Sequence, residues 1–199
     1  MMLTLRPLRL PEDAGSTLKL DTSFDTDWIY TAASSETSFQ LTETAAKVSK
    51  QYSLKLDELK SLATSHYAIV AAIEGDGESR ARNEGCKNQL GEVVGLAAAE
   101  YTEWNRRVTL HHLYVDRKHR KMGTGRRLLQ SVIDWSCTTP ARCVWVETQN
   151  TNYPAIQFYR KSGFTLCGFD ASLYDSEVTS NESGLQEIGV FLSKPLMRP

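Results

Sequence analysis

The apolar residues of this chain recur with two spacings, one typical of strands and one typical of helices. Leu3, Leu5 and Leu8 predict a first strand, and the unbroken apolar run 67–73 predicts a buried strand paired with 93–101. Residues 108–115 alternate, which predicts that Val108, Leu110, His112 and Tyr114 share one face of a further strand. Further strands are predicted around 144–147, at 164–169 and at 187–192, and 39–45 reads as extended.

Helical spacing predicts helices between these strands. A first helix is predicted from Pro11 to Asp21, a short one over 54–62, and a third over 126–135. Asn152 is placed to cap a fourth helix that stops at Gly163. Residues 22–35 read as a loop rich in aromatic side chains. Together these elements predict an α/β fold with a mixed sheet.

Composition predicts a single domain over residues 1–199, because no Pro-, Gly- or Ser-rich linker divides the chain. The segment 74–92 is polar and Gly-containing, and we expect a flexible hairpin loop there. With 41% hydrophobic and 24% charged residues and a net charge of -1, the chain is not expected to bind nucleic acid. No apolar run reaches membrane-spanning length and no signal sequence is evident, so the expected location is cytoplasmic, without membrane binding.

The cysteines and histidines give no sign of a metal site. Cys86, Cys137, Cys143 and Cys167 lack C-x-x-C spacing and have no His pair near them in sequence. Reduced, mostly buried thiols and no metal are therefore expected.

The string R-K-M-G-T-G at 120–125 carries the first chemical signal. It stands between a predicted strand and a predicted helix, where Gly123 and Gly125 allow a tight turn and the helix start offers free N–H groups to an anion. Arg120, Lys121 and Arg126 add positive charge. Taken alone, the string fits a phosphate cradle and a plain turn equally well, and it matches neither the Walker loop nor the dinucleotide fingerprint.

A second motif makes the pattern specific. L-Y-V-D at 113–116, the glycine string, and N-Y-P-A-I-Q-F-Y-R-K-S-G-F at 152–164 follow one another in an order that resembles the GNAT-type N-acetyltransferases. E-T-Q-N-T-N at 147–152 and L-Y-D at 173–175 resemble the streptothricin acetyltransferase branch. The resemblance implies a mostly antiparallel sheet of about seven strands, flanked by helices and splayed at its two central strands.

The resemblance also implies a reaction and the residues that perform it. Acetyl-CoA would be the cosubstrate, with no metal, and an amine would attack the thioester directly while Tyr159 protonates the thiolate. The residues implied to hold acetyl-CoA are Leu113, Tyr114, Val115, Arg120, Lys121, Met122, Gly123, Thr124, Gly125, Arg126 and Asn152. Asn152 is equally well explained as a helix cap.

The group that handles the amine proton is left open by the sequence. Glu147, on the strand beside the expected thioester, is favoured for amine recognition or relay, and His111 and His112 are candidate bases. Phe24, Trp28 and Tyr30 are candidates to line the acceptor pocket.

The acceptor is also open. A small primary amine resembling streptothricin is the leading expectation, with a protein N-terminus or lysine as the first alternative and a noncatalytic acyl-CoA sensor as the second. A homodimer through the predicted edge strand 187–192 remains open.

Overall fold

The computed structural model describes residues 2–64, 67–73, 91–175 and 185–197. The strands are β1 (Leu3–Pro7), β2 (Phe24–Ser34), β3 (Phe39–Lys50), β4 (Tyr67–Ile73), β5 (Glu92–Thr102), β6 (Arg107–Val115), β7 (Cys143–Gln149), β8 (Thr165–Asp170) and β9 (Gly189–Pro195). The α-helices are α1 (Ala14–Thr17), α2 (Leu56–Ala63), α3 (Thr124–Cys137) and α4 (Tyr153–Lys161), and a short 3-10 helix spans Arg117–His119.

Seven strands form one sheet in the order β1-β4-β5-β6-β7-β9-β8, and β2 and β3 form a separate hairpin. Only β6 and β7 run parallel; every other neighbouring pair in the sheet is antiparallel. This confirms the predicted mixed, mostly antiparallel sheet flanked by helices. The β6–β7 pairing covers only Arg107 to Leu110 against Cys143 to Val146, so the two central strands separate beyond Leu110.

Two apolar layers sandwich the sheet. One contains the buried stripe of α3, Leu128, Leu129 and Val132, together with Ile156 of α4. The other contains Leu59 and Leu62 of α2 and the sheet residues facing them. Only the 3-10 helix and the glycine string stand between β6 and α3, and Gly125 at the start of α3 lies beside Val115 at the free end of β6.

A bulge in β6 overturns the predicted facing of that strand. Ala98 of β5 pairs with His112 and Ala99 pairs with Leu110, so His111 is an extra residue without a partner of its own. The insertion reverses the side-chain alternation, because one added residue shifts all later side chains to the opposite face. Leu110 therefore packs in the α3 layer, whereas Tyr114 packs in the α2 layer.

Three other local predictions are corrected. The predicted loop 22–35 is largely strand β2, because β3 supplies it with hydrogen bonds over its whole length; a register shift at Thr26/Trp28 hides the alternation. The predicted first helix is reduced to the four residues of α1. The predicted edge strand is β9, which is paired on both sides by β7 and β8. The homodimer remains a prediction, but it cannot form through a free edge of β9.

Further expectations concern the segment 74–92, the cysteines, membrane-spanning helices and metal sites. Residues 74–90 of the predicted hairpin loop lie outside the described residues. Cys143 is buried, but Cys137 and Cys167 are exposed, so the expectation of mostly buried thiols is wrong for the described cysteines. No helix in the described part of the chain combines the length and apolar character needed to cross a membrane. Within the same ranges, no cluster of three or more His, Cys, Asp or Glu residues could hold a metal ion.

Candidate active site

A groove of about 670 Å³ opens where β6 and β7 separate, and we call it the central groove. Its size is within the range usual for small-molecule sites. Its lining residues are Thr22, Phe24, Tyr52, Leu113, Tyr114, Val115, Arg120, Lys121, Gly123, Gly125, Arg126, Asn152, Pro154, Ala155, Phe158 and Tyr159. The continuous stretch that holds the free end of β6 and the glycine string thus faces one cavity with the start of α4, which follows later in the chain.

The glycine string forms a tight turn at the start of α3. Lys121 and Gly123 have positive φ angles of 63° and 85°, and Gly123 is the N-cap of the helix. The first amides of any helix lack an acceptor within the helix, and the helix dipole makes that end electropositive. Lys121 and Arg126 add charge at the same wall of the groove. This arrangement can bind a phosphate or pyrophosphate.

Arg120 does something different from the mobile charge that its sequence position suggested. Its guanidinium donates hydrogen bonds to the backbone carbonyl oxygens of Val115, Ser23 and Asp21, at 3.0, 2.5 and 3.2 Å. Burial lowers the pKa of Arg120 from its ordinary value. Arg120 therefore connects the turn before α3 to the segment before β2.

Two other members of the glycine string do not line the central groove. The side chain of Met122 is 70% exposed, and Thr124 is buried in the first turn of α3. Gly125, by contrast, lines the groove, and a Cβ added there would stand 3.6 Å from both Phe158 and Val115. The contribution of Met122 and Thr124 to an anion site would therefore come from their backbone.

Helix α4 brings Asn152 and Tyr159 to the groove. The Asn152 side chain accepts a hydrogen bond from the Ala155 backbone N–H at 3.2 Å, so the same residue caps the helix and lines the cavity. The Tyr159 ring is packed between Phe158 and Phe164, with ring centroids 5.4 and 5.5 Å away.

The environment of Tyr159 sets its protonation state. Burial raises the pKa of its phenol well above the ordinary value, and the nearby Tyr114 and Glu147 raise it further. The hydroxyl stays protonated at neutral pH and can donate to an anion in the groove. It is a weaker acid than free tyrosine, so proton donation is further uphill than ordinary pKa values indicate.

Glu147 lies beyond the wall of the groove and is reached from it through three side chains. The Tyr52 hydroxyl, on the groove, donates to Oε1 of Gln149 at 2.6 Å, and Nε2 of Gln149 donates to the Tyr174 oxygen at 2.7 Å. The Tyr174 hydroxyl donates to the Glu147 carboxylate. Burial raises the pKa of Glu147, against the opposing effect of the Tyr174 hydrogen bond.

A second carboxylate nearby is neutralised. Glu187 is 1% exposed, and Nζ of Lys50 lies 2.6 Å from both of its oxygens. The Thr151 hydroxyl donates to the same carboxylate at 2.7 Å. Its charge is therefore offset inside the protein, whereas none of the ion pairs among the described residues involves Glu147.

Neither candidate histidine lines the central groove. His111, at the bulge, is exposed, with Nε2 3.2 Å from Oε2 of Glu100. His112 lies on the α2 side of the sheet, where burial lowers its pKa, and its Nδ1 is 3.4 Å from the Tyr114 hydroxyl. His111 is the extra residue of the bulge, whereas His112 keeps the predicted side of the strand with Tyr114.

Of the three aromatic residues predicted for the acceptor pocket, Phe24 lines the groove, whereas Trp28 and Tyr30 do not. Phe24 lines the groove and stacks on Tyr52, with ring centroids 6.0 Å apart. Trp28 lies further along β2 with 47% of its surface exposed. The Tyr30 hydroxyl donates to Glu43 of β3 at 2.6 Å and accepts from Arg160 of α4 at 2.8 Å, so it joins the hairpin to α4 outside the groove. Burial raises the pKa of Tyr30 to about 12.

Sequence reasoning missed several groove and network residues. Gln149 and Tyr174 lie in the two strings, 147–152 and 173–175, that carry the resemblance to the streptothricin acetyltransferase branch, so a signal for them existed. Thr22 and Tyr52 had none. Their place depends on the β2–β3 hairpin, where the Tyr52 backbone N–H donates to Oγ1 of Thr22 at 3.1 Å.

Comparison with known proteins follows the same lines as the geometry. The acetyltransferase (GNAT) family profile matches residues 49–164. Streptothricin acetyltransferase of Streptomyces lavendulae is 35% identical over 117 residues, which are 55% of this chain and 62% of that protein. Streptothricin acetyltransferase of Escherichia coli is 33% identical over 95 residues, 47% of this chain and 54% of that protein. The matches thus span less than two thirds of each relative.

Solved structures match over nearly the whole chain. The crystal structure of nourseothricin acetyltransferase superposes with a TM-score of 0.74 at 28% identity, covering 98% of this chain and 99% of that one. A Bacillus anthracis structure in complex with acetyl coenzyme A superposes with a TM-score of 0.73 at 20% identity, with the same coverage. The second likeness concerns the fold alone.

Proposed function

The chain belongs to the GNAT acetyltransferase family, and from that premise we propose that it transfers an acetyl group from acetyl-CoA to a primary amine of a small molecule resembling streptothricin. The observation that carries the proposal is the central groove, which joins an anion-binding helix start to a protonated, buried phenol. The relatives named streptothricin acetyltransferase support the class of acceptor.

The residues of the groove fit acetyl-CoA as the donor. Gly123 and Gly125 would let the pyrophosphate approach the amides at the start of α3, with Lys121 and Arg126 beside it. The free end of β6, from Leu113 to Val115, would offer its backbone to the pantetheine arm, since β7 has separated from it there.

Direct attack is the chemistry that we propose. The neutral amine attacks the thioester carbonyl, a backbone N–H of Tyr114 or Val115 stabilises the developing oxyanion, and a C–N bond forms as the C–S bond breaks. Tyr159 gives its proton to the leaving thiolate. The amine loses a proton to solvent, and Glu147 contributes to binding the amine through its negative charge. No covalent acyl-enzyme is involved.

Partners and location remain inferences from composition and relatives. A small amine is the proposed partner, and the absence of nucleic-acid and membrane binding and a cytoplasmic location are still predictions from the sequence. Tests with purified protein do not depend on them.

The test is a thiol-release assay. Purified protein is incubated with acetyl-CoA and, separately, with streptothricin, with simple primary amines and with peptides carrying free N-termini or lysines, while free CoA thiol is followed. We expect release with streptothricin. Release with peptides alone would favour protein acetylation, and acetyl-CoA binding without release from any amine would favour an acyl-CoA sensor.

A further inference from the structure

The chain of hydrogen bonds to Glu147 contains one residue that lines the central groove, Tyr52, and begins at the hydroxyl oxygen of that residue. We propose that this oxygen accepts a hydrogen bond from the acceptor amine, and that Gln149 and Tyr174 act as positioning residues that orient it towards the charge of Glu147. The inference rests on the proposed function and names the acceptor-binding residue of the same site.

The direction of the chain follows from its charged end. A carboxylate only accepts hydrogen bonds, so Tyr174 must donate its proton to Glu147 and must accept from Gln149 with its oxygen. Nε2 of Gln149 is thereby committed to Tyr174, and its Oε1 faces Tyr52 and accepts the phenol proton at 2.6 Å. The hydroxyl proton of Tyr52 is therefore engaged within the protein, and towards the groove the hydroxyl oxygen can only accept a hydrogen bond.

This polarity suits an amine. In each hydrogen bond of the chain the hydrogen atom points towards Glu147, so the bond dipoles are aligned. The negative end of this row of dipoles is at Tyr52, on the side of the groove. An ammonium or a neutral amine brings N–H donors, which match a lone acceptor oxygen. A carboxylate or phosphate brings only acceptors and would be disfavoured there.

The position of Tyr52 is fixed from several sides, which makes it a built site. Its backbone N–H donates to Thr22, and its ring stacks on Phe24 at the groove. The Asn152 side-chain amide donates to its hydroxyl oxygen, as well as capping α4, and leaves the second lone pair of that oxygen for an amine in the groove. Burial raises the pKa of Tyr52 well above the ordinary value, so the phenol keeps its proton and the chain keeps its direction.

The chain is not a route for protons. A carboxamide such as that of Gln149 would have to pass through an imidic acid to carry a proton from Tyr52 to Tyr174. Glu147 is therefore connected to the groove electrostatically, and the amine proton must leave by another path. The proposal thus separates recognition of the amine, by Tyr52, from its deprotonation.

Other ionisable groups face Glu147 and bear on its titration. Four phenols, those of Tyr52, Tyr114, Tyr159 and Tyr174, interact with it electrostatically, and burial raises the pKa of each, so they stay neutral. Glu187 is the other carboxylate; it is ion-paired with Lys50, and its negative charge still raises the pKa of Glu147. Glu147 has no ion-pair partner among the described residues, and we assign the proposed pH dependence to its protonation.

A double-mutant cycle tests the proposal. In thiol-release assays with streptothricin, Tyr52→Phe and Tyr174→Phe should each raise the KM for streptothricin about tenfold, and the double variant should raise it no further, because residues of one network are not additive. The KM for acetyl-CoA should change by less than about twofold in all three. Multiplying effects in the double variant, or an equal rise in the KM for acetyl-CoA, would overturn the proposal.

The pH dependence separates this role from a merely structural one. The ratio of the KM of Tyr174→Phe to that of the wild type, for the same streptothricin, cancels the titration of the substrate. The ratio should approach one as the pH falls through the pKa of Glu147, which burial raises, because a protonated Glu147 no longer directs the chain. A ratio that is constant with pH would contradict the proposal.

Two further measurements keep the outcomes distinct. Tyr67→Phe is the matched control and should leave both KM values unchanged, because Tyr67 lies on β4, which β5 and β6 separate from β7, and its phenol hydrogen-bonds to Ser131 of α3. Calorimetric titration of streptothricin into CoA-saturated protein reports the contact without turnover. A wild type that binds but does not react overturns the proposed function alone, whereas no binding, or equal binding to Tyr52→Phe, overturns the role of Tyr52.

Discussion

The two sides of the central groove are built by different means. The wall assigned to the donor comes from one stretch of chain, from Leu113 to Arg126, and offers mainly backbone amides. The wall assigned to the acceptor depends on side chains from separate segments, because Tyr52 after β3 lines the groove and Gln149 on β7 and Tyr174 after β8 lie behind it. A backbone site needs a conformation that short motifs specify, whereas a side-chain site needs the fold.

The largest effect should come from the residue between the two walls. Tyr159→Phe removes the proposed proton donor, and general acid catalysis is worth about 100-fold or more, so kcat should fall at least that far. Affinity for CoA should change little, because the ring keeps its packing against Phe158 and Phe164. Steady-state kinetics and CoA calorimetry measure the two separately, and an unchanged kcat would remove Tyr159 as the acid.

The difference between the walls also explains what the sequence could and could not predict. The glycine string, α3 and the α4 cap are local signals, and the structure has them within a few residues of the predicted bounds. Tyr52 reaches the groove only because β2, which was predicted as a loop, pairs with β3 in a bulged hairpin and so brings the end of β3 there. His111 is the extra residue of the bulge opposite Ala98 and Ala99, which the alternating pattern did not reveal, whereas His112 lies on the side of Tyr114 as predicted but does not line the groove.

A substitution in the backbone wall should affect the donor alone. Gly123 has a φ of 85°, which a β-branched residue adopts only with a cost of about 1–3 kcal/mol, so Gly123→Val should distort the turn and raise the KM for acetyl-CoA by about tenfold or more. The KM for the amine should stay within about twofold, since Tyr52 and Glu147 do not contact the turn.

The control for Gly123→Val makes the same change where no special backbone is needed. Gly15 in α1 has no heavy atom within 4 Å of an added Cβ, and Gly15→Val should leave both KM values unaltered. If Gly123→Val raised the KM of both substrates equally, the division of the groove into two walls would be wrong.

Arg120 connects the two walls, so its substitution should affect the binding of both substrates. Its planar guanidinium bonds Val115 on one wall and Asp21 and Ser23 beside Thr22 and Phe24 on the other. Lysine keeps the charge but cannot make these bonds at once, so Arg120→Lys should raise the KM of both substrates by about three- to fivefold. A loss confined to acetyl-CoA would indicate that Arg120 binds the donor directly.

The matched control for Arg120→Lys is Arg117→Lys. Arg117 is half-exposed, with NH1 3.1 Å from the Ser23 hydroxyl and NH2 beside the exposed Asp25. Exposed ion pairs contribute little, typically below about 1 kcal/mol, so its KM values should change by less than about twofold.

The smallest effect is expected at His111, and it tests whether this histidine or Glu147 is responsible for the pH dependence of the reaction. An imidazole that is exposed at a bulge and paired with Glu100 outside the groove has no direct path to an amine held at Tyr52. His111→Asn should therefore change kcat/KM for streptothricin by less than about twofold and leave the acid limb of the pH profile in place. Glu147→Gln should instead abolish the part of that limb that arises from amine binding, because it removes the charge that directs the hydrogen-bond chain. If His111→Asn flattened the limb and Glu147→Gln did not, His111 on β6 would be the group that accepts the amine proton. The acceptor site would then have to include the bulge of β6.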